Sequence, residues 1–134
     1  MQRQNMNNNV VLDASALLAL IQNEPGAEII KPLLNVTVMS TVNVAESLTV
    51  LQRANISPQE ALSLINDIVN MIVPFDLEQA RYVAELQSHV QHKGLSLGDK
   101  ACISLGIKLQ APIYAADKVW SELNLTGAEI KLIR

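Results

Sequence analysis

Four carboxylates stand where hydrophobic runs of this chain stop or start. Asp13 closes Val10-Val11-Leu12, and Asp117 closes Ile113-Tyr114-Ala115-Ala116. Asp99 opens the run from Ala101 to Ile107, and Glu46 lies in Asn43-Val44-Ala45-Glu46-Ser47-Leu48. Brought together by a fold, they form an oxygen-ligand pocket for a hard divalent cation. Magnesium suits such a pocket, because it prefers oxygen ligands, keeps several waters, and binds through one or two carboxylates plus phosphate oxygens. The chemistry available is phosphodiester hydrolysis, with the metal lowering the pKa of a bound water and neutralising charge on the phosphate. Without a cation the acids repel, by about 1 kcal/mol per close pair even in water, and raise their own pKa values.

Each acid also has a structural reading. Asp13 and Asp117 precede helical patterns, where either could be an N-cap accepting a backbone N–H. Winding residues 96–110 at about 100° per residue puts Lys100, Ser104 and Lys108 on one polar stripe and Asp99 on the opposite, interior side with Cys102, Ile103 and Gly106. A first-turn acid gains only about 0.3–1 kcal/mol from the helix dipole, less than burial of an unpaired charge costs. An interior Asp99 therefore needs a cation, a hydrogen-bond network or a shifted pKa. Glu46 shares a flank with Thr49 and Arg53, away from Val44, Leu48 and Leu51, and alone reads as a solvated glutamate.

Other reactive types fit known sites poorly. His89 and His92 are three apart in polar sequence with no cysteine beside them, which reads as surface rather than zinc. Ser15, Ser40 and Ser96 lack a G-x-S-x-G elbow, and Gly94 and Gly98 make neither a Walker loop nor a dinucleotide fingerprint. Lys100 and Lys118 stand beside two of the acids and could touch phosphate, but solvated lysine is the simpler reading. Cys102, the single cysteine, sits in an apolar run and reads as core filler; with no internal disulfide possible, a reducing cytoplasm is expected.

Positioning the acids falls to an alternating α/β pattern. Short apolar runs at Val10 to Leu12, Val36 to Met39, Ile72 to Phe75, Ile113 to Ala115 and Ile130 to Ile133 read as strands, with helical patterns between them. That alternation predicts a parallel sheet covered on both faces. Ser57-Pro58-Gln59-Glu60 and Asp76-Leu77-Glu78-Gln79 read as helix starts, and Gly94 as a helix end. In open α/β sheets, ligands gather beyond the carboxyl ends of the strands, where Asp13 and Asp117 fall.

A chain of 134 residues fits one domain, expected over 10–134, after a flexible Asn-rich leader at 1–9. Only 3% of residues are aromatic, which argues against a stacking platform for bases, and the core must come from Leu, Ile, Val and Ala. A net charge of −3 argues against an extensive grip on phosphate backbones, so contact with nucleic acid is expected to be local or metal-mediated. No stretch approaches the roughly 20 apolar residues of a membrane span.

The segments Leu12-Asp13-Ala14-Ser15-Ala16-Leu17, Asn43-Val44-Ala45-Glu46, Leu95-Ser96-Leu97-Gly98-Asp99-Lys100-Ala101-Cys102 and Tyr114-Ala115-Ala116-Asp117-Lys118-Val119-Trp120 resemble the motifs of PIN-domain nucleases, VapC-type toxins of bacterial toxin–antitoxin pairs in particular. The resemblance runs in order from about residue 9 to Arg134. It implies a three-layer α/β/α sandwich around a parallel sheet of about five strands. It also implies a Mg²⁺- or Mn²⁺-dependent endoribonuclease whose metal-binding acids are Asp13, Glu46, Asp99 and Asp117, with Ser15 orienting Asp13 or a metal-bound water. Members commonly form homodimers, are silenced by an antitoxin protein whose tail enters the acidic pocket, and cut transfer or ribosomal RNA. Two positions depart from the pattern: Ala115 stands where many members have Thr or Ser, and Val119 where some have a further acid.

Other readings keep the fold and change the role, to an RNA-processing nuclease without an antitoxin or to an inactive PIN binding module. A phosphoacceptor receiver domain also clusters acids at strand ends, but needs paired acids after its first strand, where Ala14 follows Asp13. For a homodimer, the N-terminal helices and the segment from Ile56 to Ile72 offer the most surplus apolar surface.

Overall fold

The computed structural model describes residues 8–90, 94–117, 120 and 127–134, with the side chains of His89 and Val90 left aside. The sequence expectations for most of the leader, for His92, Lys118 and Val119 and for the His89 side chain lie outside the described residues.

Five strands form one sheet in the order β3-β2-β1-β4-β5. They are β1 (Val10–Leu12), β2 (Thr37–Ser40), β3 (Met71–Val73), β4 (Ile113–Ala115) and β5 (Ile130–Leu132). Every ladder is parallel, with Val11 opposite both Val38 of β2 and Ile113 of β4. From β1 the chain builds one half of the sheet outward through β2 and β3, then returns to add β4 and β5 on the other side. The crevice between β1 and β4 is therefore the switch point at which open α/β sheets bind ligands.

Between the strands lie α1 (Ala14–Ile21), α2 (Ala27–Ile30), a 3₁₀ segment (Lys31–Val36), α3 (Thr41–Arg53), α4 (Pro58–Ile68), α5 (Leu77–Val90) and α6 (Leu97–Leu109). Alternate strand residues divide them into layers. Val11, Val38, Ile113 and Ala115 pack with Leu86 of α5 and Cys102, Ile103 and Leu105 of α6. Val10, Leu12 and Tyr114 pack with Ala16 and Ala19 of α1 and Ile30 of α2, while Met39 meets Val44 and Leu51 of α3 and Ala61 and Ile65 of α4. This is the expected α/β/α sandwich, and strands covered on both faces explain why β1 and β4 read as unbroken apolar runs.

β1 and β4 match their expected bounds; the others shift for local reasons. β2 begins at Thr37, not Val36, because the 3₁₀ segment runs through Val36. Buried Thr37 then uses its hydroxyl to donate to Leu34 O at 3.0 Å and to accept the Asn70 N–H at 3.0 Å. β3 ends at Val73 because Pro74 has no N–H for the ladder. Helix starts follow the cap chemistry: Ser57 accepts the Glu60 N–H at 3.1 Å ahead of Pro58, and Asp76 accepts the Gln79 N–H at 2.9 Å. The polar stripe on α6 is corrected at Ser104, which is only 3% exposed. α6 is packed by the sheet, α3 and α5 together, leaving 101–106 buried. Gly106 permits this closeness, since a Cβ there would lie 2.5 Å from the Ile113 side chain.

Candidate active site

Adjacent parallel strands bring their carboxyl ends to one edge, and Asp13 and Asp117 follow the ends of β1 and β4. The Asp13 N–H donates to Tyr114 O at 3.2 Å, locking the two ends together. Asp13 is 4% exposed and is the N-cap of α1, its Oδ1 accepting the Ala16 N–H at 2.8 Å. Cap and buried acid are thus the same residue. Its carboxyl is raised to about 7: burial is the largest cause, the charges of Asp99 and Glu46 add to it, and the Ala16 N–H and the Ser15 hydroxyl oppose it.

Glu46, on α3, is half-buried, and its Oε1 accepts from Asn43 Nδ2 at 3.0 Å. Its pKa is raised, first by burial and then by the charge of Asp99, against the Asn43 hydrogen bond. Asp99 lies at the third position of α6 and forms a capping box with Ser96: Ser96 Oγ accepts the Asp99 N–H at 3.1 Å, and Asp99 Oδ2 accepts the Ser96 N–H at 3.0 Å. Asp99 is half-buried rather than interior, because the box holds its side chain at the open end of the helix. Buried Cys102, one turn further on, reports all three acids: its thiol is raised by burial and then by the charges of Asp13, Asp99 and Glu46.

Asp117 is exposed, and its backbone oxygen accepts the Trp120 N–H at 3.2 Å. The preceding residue, Ala116, donates its N–H to Ser15 Oγ at 2.9 Å. The structure therefore gathers Asp13, Glu46 and Asp99 within electrostatic reach of one another, and Asp117 is exposed just beyond β4. Ala115 is fully buried with no hydroxyl to offer, and it is Ser15 that bridges Asp13 to the end of β4.

Among the described residues, no three acid, histidine or cysteine side chains close to metal-coordinating geometry. Each of the two outer acids has a polar partner, Asp99 the Ser96 N–H and Glu46 the Asn43 amide. The donor set still fits a hard cation: carboxylates only, with a buried acid raised chiefly by burial and further by the charges of two neighbours. A separate cavity of about 240 Å³ between α5 and α6, lined by Gln79, Tyr82 and Ser104 among others, contains none of these acids.

Two residues escaped the sequence reading. Asn43 is 1% exposed and sends Nδ2 to Glu46 and also to the carbonyl of Gly98 at 3.1 Å. Gly98 lies directly under the Glu46 carboxylate, where an added Cβ would stand 2.1 Å from Oε2. The spacing of Asn43 three residues before Glu46, one helical turn, is the signal that could have found the first contact.

The chain is similar to solved structures of DNA-bound VapBC from Salmonella typhimurium (11% identity, TM-score 0.70, covering 94% of this chain and 98% of that one) and VapBC2 from Rickettsia felis bound to a promoter DNA fragment (15%, 0.71, 92% and 97%). It is also similar to VapBC-1 from nontypeable Haemophilus influenzae (19%, 0.67, 92% and 97%). At these identities the likeness shows the fold. No curated protein matches the chain. The PIN domain family model matches residues 10–124, a span that contains β1 to β4 and all four acids. The chain belongs to the PIN domain family.

Proposed function

We propose that residues 10–134 act as one divalent-metal-dependent endoribonuclease, the toxin of a toxin–antitoxin pair that blocks translation by cutting RNA. The observation that carries this reading is Asp13, a buried carboxyl raised to about 7 by burial and by the charges of Asp99 and Glu46. Such an arrangement costs stability unless a cation joins it.

Asp13, Glu46, Asp99 and Asp117 would hold Mg²⁺ or Mn²⁺. A bound ion of this kind lowers the pKa of a water and offsets negative charge on the scissile phosphate. Asp13 supplies the buried anchor, fixed in direction by Ala16 N–H and Ser15. Glu46 and Asp99 face it from α3 and α6, so the site draws on three separate elements. Asp117 would join them from the exposed end of β4. With a cation held by these acids, a chain of net charge −3 would meet a polyanion with less repulsion at the site.

The toxin reading draws on the VapBC fold likeness, those structures being toxin–antitoxin complexes. An antitoxin and a second copy of this chain are the proposed protein partners. The cytoplasm is the proposed setting; no helix among the described residues is long and apolar enough to cross a membrane. Induced expression in a bacterial host tests the role. Growth arrest by the wild type, relieved by Asp13→Asn or Asp99→Asn, is expected. Harmless accumulation of folded wild type would contradict the toxin assignment.

A further inference from the structure

We propose that Asn43 and Gly98 form a latch that fixes the Glu46 carboxylate beside Asp99, and that this latch sets the metal affinity of the site. The inference rests on the metal-dependent reading above and adds two residues to it.

Asn43 on α3 and Gly98 on α6 are 55 residues apart in the chain and in direct contact, Nδ2 to carbonyl oxygen at 3.1 Å. The same amide nitrogen reaches Glu46 Oε1 at 3.0 Å, so its two hydrogens bind the acid and the helix turn that carries Asp99. Among the described residues, the Asn43 side-chain oxygen Oδ1 is buried with no hydrogen-bond partner. The side chain is therefore aimed by its donors while its acceptor goes unmatched, a choice that favours position over stability.

Gly98 completes the latch from below. A Cβ there would fall 2.1, 2.3 and 2.4 Å from Oε2, Cδ and Oε1 of Glu46. The carboxylate occupies the space that any larger residue would fill. Asp99, next in sequence, carries a charge that repels Glu46. A glutamate that is only half-buried would answer that repulsion by swinging towards solvent unless held. Asn43 does the holding, and the bare Gly98 backbone makes the room.

Two substitutions attack the latch from opposite sides. Asn43→Leu keeps the branched four-atom outline of the side chain, with a larger volume, and removes the donor. Gly98→Ala meets only the far end of a flexible side chain, so the helix stays and the carboxylate moves. Calorimetric titration of Mn²⁺ into the full chain, with the thermal midpoint measured with and without Mn²⁺, reads the effect. Wild type should bind Mn²⁺, and each variant should bind about tenfold or more weakly, the usual cost of losing a partner that orients a ligand. Metal-free midpoints should stay near wild type while the Mn²⁺-induced rise shrinks. If Asn43→Leu fails to fold, Gly98→Ala decides. Wild-type affinity in either folded variant would overturn the latch and leave the nuclease reading standing, whereas a wild type that binds no Mn²⁺ would overturn both.

Discussion

The Ser15 hydroxyl lies 2.7 and 2.8 Å from the two carboxylate oxygens of Asp13, and the same oxygen accepts the Ala116 N–H at 2.9 Å. One small side chain thus ties the acid after β1 to the backbone after β4, across 101 residues of sequence. Ser15→Ala should leave the fold intact at a cost of about 1 kcal/mol. Because the hydroxyl lowers the Asp13 pKa, its loss should move the acidic limb of the pH–rate profile upward and weaken metal binding by about tenfold. An unchanged profile would remove Ser15 from the site.

Metal-free protein should lose stability as pH rises. Asp13 holds its proton to about 7 when folded and releases it near 3.8 when unfolded, so between these values the unfolded chain binds fewer protons and is favoured. The penalty is absent below about pH 4, complete above about pH 7, and on the order of 4 kcal/mol at most. Asp13→Asn abolishes it. Urea unfolding in chelator should show the variant more stable than wild type at pH 8 and little different at pH 4; an equal difference at both would contradict the burial account.

Metal binding should release protons near neutral pH, because a carboxyl half-protonated at about 7 must ionise to become a ligand. Titration calorimetry in buffers of different ionisation enthalpy counts them. A buffer-independent heat would place Asp13 outside the metal's reach.

The capping role of Asp99 and its proposed role as a metal ligand can be separated. Asn at 99 can still accept the Ser96 N–H, whereas Ala cannot. Asp99→Ala should cost about 0.5–1 kcal/mol of stability and Asp99→Asn less, yet both should abolish metal-dependent cutting. Retained cutting in Asp99→Asn would reduce the residue to a helix cap.

The sequence was most readable where local pattern and tertiary environment agree. β1 and β4 are buried on both faces, so their apolar runs end where the strands end, and the acids after them fall at the switch point. Winding α6 put Asp99 on the correct side but too deep, because the capping box that draws it back to the helix mouth is local chemistry that periodicity ignores. Ser104 looked solvated because periodicity cannot tell how many layers cover a helix. Glu46 looked solvated for a different reason: the buried flank of α3 carries polar Asn43 and Ser47, which a hydrophobic count assigns to water. The Asn43 to Gly98 contact is long-range, and nothing in either segment alone announces it.

The most direct measurement is cleavage of a mixed pool of structured RNA by the purified chain, with Mg²⁺, with Mn²⁺ and with chelator, beside Asp13→Asn and Asp99→Asn. Cutting that needs the metal and vanishes in both variants is the predicted result. Cutting that persists in chelator or in either variant, or a metal-bound wild type that cuts no RNA, would contradict the assignment of these acids to a nuclease centre.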